Sequence, residues 1–146
     1  MIPSPRIDCE DCHNSLTSES MQQRMTEKHF DLKIRTKDFV LRIIRLCRKL
    51  PQGEEARVIG KQVLRSGTSV GANYRAACRS RSRAEFISKI SVVLEEADET
   101  VFWLELLLDA NVFSRNRVEP LLTEANELTS IFVTALRTTK SLTSGF

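Results

Sequence analysis

With 146 residues, four prolines, five glycines, 41% hydrophobic and 28% charged residues, the chain is long enough to bury a core as one domain and too poor in breakers to be disordered throughout. No apolar run approaches the roughly 18 residues that cross a bilayer, and no secretory apolar segment opens the chain, so the expectation is a cytoplasmic protein that does not enter membranes. The net charge of +3 conceals a segregation: residues 29–83 hold 14 Lys/Arg against 4 Asp/Glu, residues 84–146 hold 5 against 10, and residues 1–28 hold 3 against 5.

Residues 1–28 carry Pro3, Pro5 and scattered polar residues without an apolar period, which predicts a flexible N-terminal tail ahead of a folded domain over 29–146. Met21 and Met25 are alternative starts within it. Cys9, Cys12 and His13 have haem-attachment spacing, but without an export signal the match is read as chance, and no second cysteine pair completes a zinc site. No cofactor and no metal are therefore expected.

The first helical pattern runs from about Asp31 to Leu50, with Phe39, Ile43, Leu46 and Leu50 at steps of four, three and four. Pro51, Gln52 and Gly53 end it. The second begins at Glu54 and carries Ile59, Val63, Ser66, Val70, Asn73 and Ala77 on one stripe. Ser82 with Glu85 forms a capping box for the third helix, whose seam reads Ile87, Ile90, Leu94, Ala97, Val101, Leu104 and Leu108. Asn116 with Glu119 is the expected cap of the fourth, leaving Pro120 in its tolerant first turn. That helix continues through Val118, Leu121, Ala125, Leu128, Phe132, Ala135 and Leu142. Four amphipathic helices with short connections predict an all-α, antiparallel up-down four-helix bundle.

Residues 65–80, RSGTSVGANYRAACRS, hold the densest run of small residues. A phosphate-binding loop needs a preceding strand and a Lys-Ser/Thr pair, and neither is present. The helical reading instead aligns Gly60, Leu64, Gly67, Gly71, Tyr74 and Cys78 on a second stripe of helix two. Each interior glycine costs about 1 kcal/mol relative to alanine, so a close packing partner is implied: another helix of the chain or a neighbouring subunit. Asn73 and Ser66, on the core stripe, are structural polar groups that require hydrogen-bond partners. Cys47 and Cys78 stand too far apart along an α-hairpin, roughly 30 Å at 1.5 Å per residue, to form a disulfide.

Arg75, Arg79 and Arg83 are spaced by four and share a face if the helix continues, with Arg81 beside them; helix one adds Arg42, Arg45, Arg48 and Lys49. Such a cluster is the electrostatic footprint of phosphate-backbone binding, unless the acidic third helix neutralises it through Glu95, Glu96, Glu99 or Glu105. Only Tyr74 and Trp103 are available as base-reading aromatics, so contact with RNA or DNA is expected to be sequence-independent. The two histidines, His13 and His29, lie at or before the edge of the fold, which argues against a histidine-dependent active site and for a non-enzymatic protein. Arg24 and His29 have an Arg-x4-His spacing found in some helical ribonucleases, the minor alternative.

Leu64–Arg75, Arg81–Lys89, Glu95–Thr100 and Trp103–Leu107 together resemble the bacterial four-helix-bundle family of 23S rRNA intervening-sequence proteins, over about residues 30–142. That family resembles in turn the accessory variability determinant of diversity-generating retroelements. The resemblance implies a homo-oligomer, a pentamer, with Gly60, Gly67, Gly71 and Tyr74 near a subunit contact and the arginines on a charged ring. It also implies binding to nucleic acid and to a reverse transcriptase. Many relatives have an Asn-Ile-Ala-Glu-Gly run where this chain has Asn73-Tyr74-Arg75-Ala76-Ala77. The expectation that follows is a self-associating helical adaptor for RNA or DNA backbone; the alternative is a module for an acidic protein partner.

Overall fold

The computed structural model describes residues 12–142 and 144, and their side chains from 18 onward except at 29. Four helices are present: α1 (Cys12–Arg48), α2 (Glu54–Ala77), α3 (Arg83–Asp109) and α4 (Arg115–Ser141). No strand occurs among the described residues. Two compact units divide the chain, Met1–Leu32 and Lys33–Phe146.

Within the first unit, α1 begins far ahead of the start expected at Asp31. Residues 13–32 contain no proline or glycine and are rich in Gln, Glu, Met, Lys and Leu, good helix formers. Helix therefore persists without a buried face: Met21, Met25 and Phe30 are all at least 60% exposed. The missing apolar period at 12–28 did not signal this helix, because such a period reports burial rather than helix. Pro3 and Pro5 lie outside the described residues.

Within the second unit the helices form an up-down bundle. Along α1 and α2, Val40 lies against Gly71, Ile43 against Gly67 and Leu50 against Gly60, so one sequence rises as the other falls. The α2/α3 seam holds a hydroxyl pair in which Thr100 Oγ1 donates to Ser66 Oγ at 2.9 Å. Arg83 Nη1 donates to the Leu142 carbonyl at 3.1 Å, joining the start of α3 to the end of α4. Arg35 Nε meets Glu124 Oε1 at 2.7 Å, joining α1 to α4. Tyr74 and Phe132 span the bundle diagonal with ring centroids 5.7 Å apart.

Phe39, Ile43, Leu46, Val63, Ser66, Val70, Ala77, Val118, Leu121, Ala125, Leu128 and Phe132 are buried as their spacing predicts. The α3 seam is rotated from the expected one. Ile90, Ala97 and Leu104 are buried, but Val93, Thr100 and Leu107 complete the stripe, while Ile87, Leu94, Val101 and Leu108 are half-buried. Two overlapping heptads of apolar residues run along α3, and the polarity of Thr100 conceals the inner one. Thr100 is admitted because its hydroxyl lies 2.7 Å from the Glu96 carbonyl as well as beside Ser66 Oγ, so its single proton always has an acceptor.

The turns follow local chemistry. Gly53 adopts φ 154° between α1 and α2, a backbone region that favours glycine. Ser82 Oγ accepts from Glu85 N at 3.1 Å, and Glu85 Oε2 reaches back to Arg81 N at 2.8 Å, one residue short of the reciprocal box. The Glu85 carboxyl is held below its usual range, first by Lys89 and then by that Arg81 amide. At the next turn Asn111 takes φ 53°, and Val112 N and Phe113 N both donate to the Leu107 carbonyl. The N-cap of α4 is Ser114 rather than Asn116, with no side-chain cap bond. Pro120 therefore sits inside the helix, beyond the first turn.

Candidate nucleic-acid interface

The glycine stripe is occupied within the chain. A methyl group on Gly67 would lie 2.9 to 3.1 Å from three carbons of Ile43, and one on Gly71 would lie 2.8 Å from Val40 Cγ2. Both values are below ordinary van der Waals contact, so the missing Cβ atoms are what lets α1 close on α2. Of the two expected roles for Gly60, Gly67 and Gly71, the structure shows tight helix packing. Tyr74, 1% exposed, belongs to the core; burial raises its phenol pKa, with the Cys78 hydrogen bond adding to it.

The polar stripe residues find local partners. Asn73 is half-buried and its Nδ2 donates to the Ser69 carbonyl at 2.9 Å, so no inter-helix bond fixes it. Ser66, fully buried, donates to the Gln62 carbonyl at 2.9 Å besides accepting from Thr100. Cys47 and Cys78 are free; burial pushes the Cys47 thiol up to about 11.

The predicted arginine stripe is broken. Because α2 stops at Ala77 and α3 starts at Arg83, Arg83 does not continue the face of Arg75 and Arg79. Its guanidinium is bound to the end of α4, close to where cations favour the helix dipole. Arg81 is exposed in the turn.

Two separate basic concavities replace the single cluster, one on either side of α1. Arg75 from α2 and Arg79 from the turn after it face Lys33 and Lys37 from α1 across a groove of about 550 Å³, with Ile34, Val40, Gly71 and Ala72 also in its lining. Arg42, Arg45 and Lys49 instead join Arg117 of α4 around a smaller bay of about 200 Å³, with Leu46, Phe113, Pro120 and Leu121 as its apolar part. The Arg117 guanidinium lies over the Phe113 ring, 5.8 Å from its centroid, a cation–π arrangement. Arg48 is exposed on the outer side of α1. Lys33, Lys37 and Arg117 escaped the sequence reading because the register between helices brings them in, and Arg117 comes from the acidic half.

Neutralisation by α3 does not reach these groups. Glu96 and Glu99 are taken by Arg65, and Trp103 Nε1 donates to Glu99 Oε1 at 3.0 Å. The hydrogen bonds from Arg65 and then Trp103 hold the Glu99 carboxyl below its usual range. None of Arg42, Arg45, Arg48, Lys49, Arg75, Arg79 or Arg81 is paired with a carboxylate among the described residues. The aromatics expected to read bases are both withdrawn: Tyr74 is in the core, and Trp103 is half-buried with its N–H spent.

Among the described residues no cluster of His, Cys, Asp and Glu is placed to hold a metal, and no helix is long and apolar enough to cross a membrane. Arg24 is exposed on α1; the side chains of His29, Cys12 and His13, and all of Cys9, lie outside those described.

The family model for the 23S rRNA-intervening sequence protein matches residues 28–134. The chain belongs to that family. A solved structure from Bacteroides thetaiotaomicron, described as a protein of unknown function from the S23 ribosomal protein family, is 36% identical, with a TM-score of 0.69. The alignment covers 75% of this chain and 98% of that one. No curated protein matches the chain. The family match thus begins close to the start of the second unit and ends within α4.

Proposed function

We propose that this protein is a non-enzymatic, self-associating helical adaptor that binds RNA or DNA backbone through its unpaired cations. The observation that carries the reading is the α1/α4 bay: Arg42, Arg45, Lys49 and Arg117 surround one small concavity with no carboxylate in its lining. Like charges gathered at that density repel one another, and an anion relieves them. Phosphate oxygens suit guanidinium groups, which donate in a fixed fork. With the candidate base-reading aromatics withdrawn, the contact is sequence-independent.

Binding to a short single-stranded RNA, followed by fluorescence anisotropy over a range of salt, tests this. Each phosphate neutralised contributes a slope of about −0.7 in log K against log salt. Arg45→Glu with Arg117→Glu should flatten the slope by about 1.4 and weaken binding uniformly across sequences. Absence of binding at about 50 mM salt, where the electrostatic contribution is strong, refutes the proposal. Capture of a protein partner that survives nuclease treatment, with no RNA affinity, would point to the acidic-protein alternative.

A further inference from the structure

The second concavity differs from the first in size and floor. The α1/α2 groove is wider, and its floor exposes apolar surface: Ile34 is 54% exposed, with Val40 and Ala72 beside it. Its cations sit at two levels, Lys33 and Lys37 on one wall and Arg75 and Arg79 on the other. None of the four is paired with a carboxylate among the described residues. A partner that fits this groove presents an apolar body flanked by negative charge.

Such a surface exists on α3 of the same chain. Glu95, Asp98, Phe102, Glu105 and Asp109 follow steps of three and four, which align them on one outer stripe. All five are exposed, and none of the four acids is ion-paired among the described residues. Phe102 is 51% exposed, the most exposed aromatic among the described residues of the second unit, and is braced edge-on by Trp103 with centroids 5.0 Å apart. From Glu95 to Asp109 the stripe rises by 14 residue steps, about 21 Å at 1.5 Å per residue, with carboxylates on both sides of the ring. An exposed aromatic in an acidic row and an apolar-floored groove in a basic one are each unexplained alone.

We infer that the α1/α2 groove is the docking site for the α3 ridge of a second copy of this chain, with Phe102 on the groove floor and the flanking acids against Lys33, Lys37, Arg75 and Arg79. The inference rests on the self-association in the function proposed above and names its contact. Groove and ridge are different surfaces, so the contact is heterologous: each copy offers a ridge to one neighbour and a groove to another, a contact that builds a ring where its rotation closes. This assignment leaves the α1/α4 bay to nucleic acid.

Light scattering on full-length protein tests it. The wild type should have a mass that is a multiple of the 16.6 kDa protomer. Arg75→Glu with Arg79→Glu spoils the groove, and Asp98→Arg with Glu105→Arg spoils the ridge; each variant alone should be a protomer. Mixed in equal amounts they should form a dimer, because one intact groove then meets one intact ridge. Circular dichroism melts confirm that both variants remain folded, and Phe102→Ser, at a solvent-exposed position, serves as a second ridge variant that should lower the mass without altering charge. A wild-type protomer at tens of micromolar, or a mixture that stays monomeric, overturns the inference. So does a groove variant that keeps the wild-type mass while losing RNA affinity, which would assign the groove to nucleic acid. Failure in mass with RNA binding intact leaves the backbone-binding reading standing.

Discussion

Replacing two glycines of the same stripe with alanine should have effects of opposite sign. At both Gly60 and Gly67 the substitution gains about 1 kcal/mol of helix propensity. At Gly60 the added methyl meets only Leu50 Cδ1, at 2.7 Å. That atom is the free end of a half-buried side chain near the helix terminus, and it can rotate away. At Gly67 the methyl meets three carbons of Ile43 at 2.9 to 3.1 Å. Ile43 is fully buried and β-branched, with one χ1 well available in a helix, so relief requires α1 to shift. Overpacking of that kind costs about 1–3 kcal/mol, which exceeds the propensity gain. Gly60→Ala should therefore be stabilising by up to about 1 kcal/mol and Gly67→Ala destabilising by a similar amount. A separation near 2 kcal/mol corresponds to roughly 8 °C in Tm for a domain of this size. Thermal unfolding followed by circular dichroism at the helical minimum measures it. A Gly67→Ala protein at least as stable as Gly60→Ala would refute the claim that Ile43 occupies the space of the absent Cβ.

The Ser66–Thr100 pair gives a second test. Thr100→Val and Ser66→Ala should each cost about 1 kcal/mol, and the double variant less than their sum by about 0.5–1 kcal/mol; additive values in urea unfolding would show that the two hydroxyls act independently. A third concerns pH. Glu99 has its folded pKa lowered by Arg65, so its contribution is full above the unfolded carboxyl pKa and disappears as pH falls through the folded one. The pair is exposed, with side chains at 47% and 37%, which limits Glu99→Gln to about 0.5 kcal/mol near neutrality; the gap from wild type should close as pH falls below the usual carboxylate range, and a gap that widens on acidification would contradict the assignment.

The bundle was legible because burial repeats with the helical period, and the core stripe of α1, of α2 and of α4 stands out in the spacing of its apolar residues. In α3 the period was equally clear but its phase was not, since apolar residues also fill the flanking positions and the inner stripe is marked by a threonine. The helical part of 12–28 was invisible for the converse reason: an exposed helix leaves no period. For the basic surface, the charge excess of residues 29–83 gave the composition of the site but not its shape. Whether Arg83 extended Arg75 and Arg79 depended on where α2 stopped, and the Ser82 box, read correctly as a start for α3, already implied that break. That Arg42 and Arg75 face different grooves depended on the rotation of α1, which no spacing within one helix reports.

Pro120 has a consequence for how α4 opens. Lacking an N–H, it gives the Asn116 carbonyl no donor four residues on, so the amide ladder loses one rung near the start of the helix. The turn from 115 to 119 is held by the Arg117 and Val118 amides on the Ser114 carbonyl, by Val118 in the core and by the Arg115–Glu119 pair. It is a separable tile: it can fray without unzipping the rest, carrying Arg117 with it. Amide protons there should exchange with solvent faster than those beyond Leu121, and the mouth of the bay they border is the part of the molecule best able to adjust to what enters it.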